Sequence, residues 1–164
     1  MKVLVFYKND DRYIKEYLRA ALKRLRYAAF FVALAGFLLC LLFYRMQNIL
    51  ISGVLLGASL LSLLVGILLV PMTFREFKAR EKKITGGEKE VMLRFFDDRA
   101  QIHQGEAHLE ILYRYLERVY TTGDLYIFQL DRGSGFYLPK SAIDDANKDA
   151  FRELLSGPLA PYLK

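Results

Sequence analysis

The sequence predicts an α+β membrane protein, in which a transmembrane helical hairpin is joined to a small antiparallel β-sheet capped by a C-terminal helix. Three observations predict this fold: two long apolar runs, a series of short alternating segments after residue 88, and an acidic helix start followed by a Gly-Pro stop. Hydrophobic residues make up 54% of the 164-residue chain and charged residues 26%. Because the two kinds of residue are segregated along the chain, we expect separate membrane and water-exposed parts.

The two apolar runs occupy residues 27–44 and 49–72. Each is longer than the minimum of about 17 residues that a helix needs to cross the hydrocarbon of a bilayer. Backbone groups in lipid must bond within their own segment, so both runs are predicted to be transmembrane helices. Residues 45–48 are too few to lead the chain back across the bilayer. They therefore form an extracytoplasmic turn in an antiparallel hairpin.

Lys and Arg are concentrated on the two outer flanks of this hairpin, residues 1–26 and 73–83, whereas the turn holds only Arg45. An excess of Lys and Arg marks the cytoplasmic side, so we expect a multi-pass protein of the cell membrane with its N- and C-terminal segments in the cytoplasm. A cleaved signal peptide is not expected, because the charged leader is long and no small-residue cleavage site follows the first run.

The formal net charge of +6 and the sequence pI near 9.4 could suggest a nucleic-acid partner. Within residues 84–164, however, acidic residues outnumber basic ones. The positive surplus therefore lies beside the membrane, where anionic headgroups explain it. We expect the lipid bilayer as a partner and no nucleic acid.

Residues 1–8 include the apolar stretch KVLVFY and are predicted to form a strand. We expect this strand to pair with the C-terminal domain, because an unpaired apolar edge there would invite aggregation. Residues 9–26 follow a helical period, with an apolar face and a basic face, and are predicted to form a juxtamembrane helix. Its basic residues could contact headgroups, although the helix could instead pack on the domain or extend the first membrane helix. These residues are Arg12, Lys15, Arg19, Lys23 and Arg26.

Residues 73–87 read as a basic connector that ends in a Gly-Gly break, and residues 88–164 as a cytoplasmic domain of six short strands and a helix. The Gly105-Glu106 turn predicts a register in which Ile102 faces Leu109, Ala100 faces Ile111 and Gln101 faces Glu110. The final helix is predicted to begin at Asp144 or Asp145, which can cap it, and to end at Gly157-Pro158. Its apolar face is Ala150, Phe151, Leu154 and Leu155.

The chain resembles the YcxB-like family of bacterial membrane proteins over nearly its whole length. The resemblance is carried by LYRYLERVYTTGDLYIFQL, GFYLPKSAI and FRELLSG, with an opening, VLVFYKNDDRYIKEYLR, that also looks like the family's; Ile143 departs from it, since an aromatic residue is typical there. The resemblance implies a pleckstrin-homology-like (PH-like) sheet or barrel in a bacterial inner-membrane protein, and it implies no activity. The matching residues are Tyr113, Leu116, Val119, Tyr120, Tyr126, Leu138, Pro139, Lys140 and Phe151.

The residues that could bind a metal or a ligand are better explained by structural roles. His103 and His108 face each other in the predicted register, with Glu106 and Glu110 nearby, but without a third His or a Cys they are better explained as an exposed polar pair than as a zinc site. Pro139-Lys140 is read as a strand end. Neither a catalytic nor a cofactor-binding motif is present, so we expect neither an enzyme nor a bound cofactor or metal.

Small residues in the second membrane helix predict close packing between helices. Gly53 and Gly57 lie on one face, and Ala58, Ser62 and Gly66 lie on nearly the opposite one. Since the hairpin needs a single face, the other could form a homodimer through this helix.

Two functions from different classes fit these observations. The first is a binding or scaffold module, whose surface would be an open sheet edge or the loops Asp97–Arg99 and Asp131–Ser134; its partner would be an unknown cytoplasmic protein or a small ligand. The second is a structural accessory subunit of a larger membrane complex. The absence of charged residues inside the membrane runs argues against a transporter.

Overall fold

The computed structural model describes residues 2–130 and 134–163, and these residues divide into two compact units. The hairpin unit comprises Leu18–Arg75. The β unit comprises the described residues of Met1–Tyr17 and Glu76–Lys164. The chain therefore leaves the β unit within its first helix and returns to it within a later helix.

The hairpin unit is built from two long helices. These are helix α2 (Lys23–Arg45) and helix α3 (Ile49–Thr85). A shorter helix, α1 (Asp11–Ala21), begins in the β unit and ends within the first residues of the hairpin unit. Both α2 and α3 are long and apolar enough to cross a membrane. The predicted basic helix over residues 9–26 is thus two helices, because Leu22 interrupts it and Lys23 and Arg26 belong to α2.

Helix α3 extends well beyond the apolar run. The basic segment predicted as a connector is helical as far as Thr85, with Pro71 inside the helix. The helix then ends at Gly86 and Gly87, whose φ angles of 66° and 90° are left-handed. Glycine adopts this conformation without steric cost, so the Gly-Gly break marks the helix end.

The β unit contains seven described strands in two antiparallel sheets. The first sheet has the order β1 (Val3–Lys8), β2 (Glu90–Phe95), β3 (Arg99–Gln104), β4 (Ala107–Leu112). The second has the order β5 (Leu116–Thr121), β6 (Leu125–Leu130), β7 (Gly135–Pro139). Strand β1 lies beside β2, with Val5 opposite Leu93, although the whole hairpin separates them in sequence.

The register predicted for the β3–β4 hairpin is confirmed. Ile102 faces Leu109, Ala100 faces Ile111 and Gln101 faces Glu110. Gly105 has a φ of 57°, and a Cβ at this position would lie 2.6 Å from the carbonyl oxygen of Thr85. Both the left-handed conformation and the close approach of α3 therefore require glycine in this turn.

Helix α4 (Asp145–Ser156) is capped as predicted. The side chain of Asp144 accepts a hydrogen bond from the backbone N–H of Asn147 at 2.9 Å, and Gly157 is the C-cap. Phe151 and Leu154 are buried against the sheets, where the ring of Phe151 lies edge-on to Phe95 at 5.8 Å. Each such buried side chain contributes about 1.5–3 kcal/mol of hydrophobic stabilisation.

The predicted fold class is confirmed at the level of an α+β chain with two long apolar helices, antiparallel sheets and a C-terminal helix. The sheets do not close into a barrel: within residues 2–130 and 134–163, no strand pairing joins one sheet to the other. The core between them is instead formed by side chains, among them Leu93, Phe95, Phe128 and Leu138.

Candidate functional site

A partly buried polar network joins four separate elements at one end of the β unit. The side-chain amide of Asn9, just after β1, donates to the Glu81 carboxylate on α3. Gln104 at the end of β3 donates to the same Glu81 oxygen at 2.8 Å, and the hydroxyl of Tyr137 on β7 donates to Asn9. Because each of these groups has a partner, the network fixes the last turns of α3 against both sheets without leaving Asn9 unsatisfied.

Three tyrosines surround this network. The Tyr7 hydroxyl donates to the backbone carbonyl of Tyr137 at 2.9 Å, and the Tyr17 ring lies 5.5 Å from the Tyr137 ring. Burial raises the pKa of Tyr7 and of Tyr137 well above the usual range, and raises the pKa of Tyr17 to about 12. At neutral pH all three phenols are therefore protonated; the hydroxyls of Tyr7 and Tyr137 donate hydrogen bonds, and the ring of Tyr17 packs beside Tyr137.

Beside the network lies a groove between the end of α3 and the inner face of β3 and β4. A small cavity of about 110 Å³ under Tyr7 and Tyr17 adjoins it, and the groove itself has a volume of about 650 Å³. Its walls are mostly apolar, with Arg80, Glu81 and His108 as the ionisable groups. The lining comprises Phe77, Arg80, Glu81, Ile84, Thr85, Ile102, Gln104, Ala107, His108, Leu109, Gly135 and Phe136.

Two groove residues expose large apolar side chains. Ile84 is 65% exposed and Leu109 is 53% exposed. Of the charged groups, Glu81 is already bonded to Asn9 and Gln104, whereas Arg80 has an 80% exposed side chain and an ion pair with Glu76 at 4.0 Å. An apolar concavity of this size with a few polar groups at its rim is typical of binding sites.

The basic residues proposed to contact the membrane surface have varied surroundings. Helix α1 buries Ile14 and Tyr17 in the β unit, and the Glu16 carboxylate accepts hydrogen bonds from Thr122 and from the backbone N–H of Asp124. The apolar face at Ile14 and Tyr17 therefore packs on protein, as the alternative interpretation held. Arg12 forms an ion pair with Asp124. Lys15, Arg19 and Lys23 are exposed and Arg26 is partly exposed.

The small residues predicted to pack in the membrane divide between two surfaces. The Ser62 hydroxyl donates to the carbonyl of Ala29 at 2.9 Å, and a Cβ at Gly66 would lie 3.4 Å from that of Ala29. Both residues thus face α2 within the hairpin. Gly53 and Gly57 have open space around them, and Ala58 is exposed.

The two histidines face each other across the β3–β4 hairpin as predicted, with their Nδ1 atoms 3.1 Å apart. Among the described residues no group of three or more His, Cys, Asp or Glu side chains is placed to hold a metal. The Lys140 ammonium donates to the carbonyl of Thr122 at 2.8 Å and to that of Gly123 at 3.1 Å, so Lys140 supports the β5–β6 turn.

The structure describes one of the two predicted binding loops in full and only the end of the other. Asp97 pairs with Lys2 at 2.8 Å, and Arg99 lies 3.6 Å from Glu110, so the loop Asp97–Arg99 is engaged within the β unit. Residues 131–133 lie outside the described part of the chain.

Residues 95–155 match the model of a family described as YcxB-like protein. This region is YcxB-like. The match includes the nine residues named as matching the family pattern, from Tyr113 to Phe151, and confirms the family resemblance of this region. The YcxB-like region covers β3 to most of α4, so the match is shorter than the resemblance, which extended into the N-terminal segment. Neither a curated protein nor a solved structure matches the chain.

The YcxB-like region supplies one wall of the groove, whereas Asn9 and Glu81 come from outside it. Sequence reasoning missed both residues. Asn9 lies in the turn-like KNDD, which gives no sign of burial. Glu81 lies in a basic segment that was interpreted only as a membrane flank. The helical spacing of Phe77, Glu81 and Ile84 places them on one helix face, and this pattern could have identified Glu81.

Proposed function

We propose that this chain is a non-enzymatic integral protein of the bacterial inner membrane that displays a PH-like binding or scaffold domain in the cytoplasm. The observation that carries the proposal is the groove of about 650 Å³ beside Leu109 and Ile84. Exposed apolar side chains in a concavity are typical of sites that receive a protein segment or a small ligand.

Three features support the finer parts of the proposal. The order of four strands, three strands and a C-terminal helix agrees with a PH-like module. The basic flanks of the two apolar helices favour a cytoplasmic location for the β unit. Exposed Lys15 and Arg19 favour contact with anionic headgroups, which needs only charge and not the buried face of α1.

Co-purification from mild detergent tests the proposal with matched variants. Ile84 in the groove and Phe6 on β1 have exposed fractions of 65% and 64%, so Ile84→Glu and Phe6→Glu change the surface by the same amount. We expect a cytoplasmic protein or a small ligand to accompany the wild type and Phe6→Glu but not Ile84→Glu. Loss of the same partner from both variants, or no partner for the wild type, overturns the binding function.

The same experiment distinguishes the accessory-subunit alternative. A stoichiometric membrane protein, retained by Ile84→Glu but lost from Gly57→Ile, would support assembly through the open face of α3, where a Cβ added at Gly57 would meet no atom of another element within 4 Å. A homodimer lost from Gly57→Ile alone would identify the same face as a self-association surface.

A further inference from the structure

Strand β4 is the exposed edge of the first sheet. The other three edges are partly covered: the carbonyl of Leu4 on β1 accepts from Asn147 at 3.2 Å, Val119 on β5 bridges to Leu163, and the carbonyl of Tyr137 on β7 accepts from Tyr7. In the described part of the chain no strand lies on the outer side of β4. Its outward N–H and C=O groups are therefore available to another strand.

The hairpin geometry identifies these outward groups. Gly105 and Glu106 form a two-residue turn, so Gln104 and Ala107 are a hydrogen-bonded pair. Bonded and non-bonded pairs alternate along an antiparallel ladder, so Ala107, Leu109 and Ile111 bond to β3. The backbone groups of the intervening residues, His108, Glu110 and Leu112, consequently point away from the sheet.

This edge has few of the features that usually protect an edge strand against pairing, Glu110 being its one charged residue. Strand β4 (AHLEIL) contains no Lys and no Pro, and its register with β3 has no bulge. Residues 108–110 are exposed on both faces of the strand. Natural edge strands that avoid partners carry such protective features, so a regular six-residue edge with an exposed Leu109 is suited to pairing.

The sequence of β4 is complementary to itself in one antiparallel register. When Leu109 faces the partner's Leu109, His108 faces the partner's Glu110 and Ala107 faces the partner's Ile111. This register combines a leucine pair, two His–Glu pairs and two Ala–Ile pairs, so apolar side chains face apolar ones and no like charges stand opposite each other. Glu110 keeps its own contacts with Arg99 and Gln101 on the same face, so the imidazole joins an existing polar group.

The neighbouring registers are unfavourable. The outward residues of both copies must face one another, so the pairing can shift only in steps of two residues. One step brings Glu110 opposite the partner's Glu110, and like charges directly opposite destabilise a strand pair. The opposite step brings His108 opposite the partner's His108 and loses both His–Glu pairs. A two-fold axis through the Leu109 pair also gives a closed dimer.

We propose that two copies of this chain associate by antiparallel pairing of their β4 edges, with Leu109 of each copy opposite the partner's Leu109. The resulting sheet has eight strands and is continuous across the two copies. This edge shares Ala107, His108 and Leu109 with the groove, so Ile84→Glu, which changes the groove but not the edge, is the variant that distinguishes failure of this inference from failure of the proposed binding function.

Disulfide cross-linking of the full-length chain in its membrane tests the register directly. In a Cys40→Ser background, Leu109→Cys places two thiols on facing, non-bonded residues whose Cα atoms are about 4.5 Å apart, within the range of a disulfide. We expect Leu109→Cys to yield a covalent dimer on mild oxidation. His108→Cys and Glu110→Cys should cross-link when co-expressed but much less when each is expressed alone, because identical positions lie diagonally at about 7–8 Å.

A second experiment measures the oligomeric state of Leu109→Lys, since a lysine on the edge opposes strand pairing. It should convert the non-covalent dimer to monomer, while Ile84→Glu, in the groove but off the edge, should leave the dimer intact. The proposal is overturned if Leu109→Cys fails to cross-link in protein with a normal unfolding temperature. It is also overturned if Glu110→Cys alone cross-links as well as Leu109→Cys does, or if the wild type is monomeric.

Discussion

At the scale of single residues, the β unit depends on polar side chains that bind across elements distant in sequence. Asn9 is 7% exposed and bonds to both Glu81 and Tyr137, so it receives one hydrogen bond and donates another. Such a group is costly to remove, because the buried Tyr137 hydroxyl loses its acceptor and Glu81 keeps only its hydrogen bond from Gln104. Asn9 thus links β1, α3 and β7 through a single side chain.

Asn9→Ala should lower the free energy of unfolding of the β unit by about 1–3 kcal/mol, since Glu81 and Tyr137 each lose a partner. The measurement is the thermal or denaturant midpoint of the full chain in detergent. Glu106→Ala, at an exposed turn position, is the control and should leave the midpoint unchanged. Equal midpoints for Asn9→Ala and wild type would show that the network adds no stability.

His103 is expected to make the stability of the β unit depend on pH. Burial lowers the pKa of its imidazole, and the positive charges of His108 on β4 and Arg94 on β2 lower it further. The unfolded chain, with a pKa near 6.5, therefore takes up a proton before the folded chain does. The stability that His103 contributes is therefore fully present above that value. It is lost as the pH falls below that value and through the lower pKa of the folded state.

We expect the unfolding midpoint of the wild type to fall between about pH 7.5 and pH 5.5, and His103→Gln to show a smaller fall, because glutamine does not titrate in this range. Thermal unfolding at several pH values measures the two slopes. Parallel slopes for the two proteins would assign the pH dependence to other groups.

At the scale of elements, the strands of the YcxB-like region could be predicted because their alternation and short turns are local signals. The Gly105-Glu106 turn even fixed the facing pairs Ile102–Leu109 and Gln101–Glu110. The helical structure of residues 73–85 was not predicted, because their positive charge was used to infer the membrane topology. The helical spacing of Phe77 and Ile84 in the same segment was not used. The separation of the sheets was also missed, because no local pattern reports whether a barrel closes.

Substitutions in strand β1 test how much this one strand contributes to the stability of the β unit. Val5 is 2% exposed and packs into the core, whereas its neighbour Phe6 is 64% exposed. Val5→Glu should unfold the β unit, because it buries a charge without a partner among apolar side chains. Phe6→Glu should be tolerated. Limited proteolysis of the full chain measures both, and equal resistance of the two variants would indicate that β1 is dispensable.

At the scale of the whole molecule, the candidate site draws on segments far apart in the chain. The groove needs α3 and β3–β4, and its supporting network also needs Asn9 and Tyr137. Sequence reasoning predicted the membrane hairpin and the sheet separately, because each has its own periodicity. It did not predict the site, since no motif connects Asn9 with Glu81.

The predicted topology can be measured by thiol labelling of intact cells. In a Cys40→Ser background, a membrane-impermeant reagent should label Gln47→Cys in the turn between α2 and α3. It should not label Lys8→Cys or Glu106→Cys, because the basic flanks favour the cytoplasm. Labelling of all three after lysis is the control. Opposite results for Lys8→Cys and Glu106→Cys would place the two parts of the β unit in different compartments and contradict the topology.

The pairing of β1 with β2 has a consequence for biosynthesis. The ribosome makes Val3–Lys8 before α2 and α3 and makes Glu90–Phe95 after them, so β1 stays unpaired until both long helices have been synthesised. Closing a longer loop costs more chain entropy and slows folding. A nascent chain released after α3 therefore lacks the partner strand of β1.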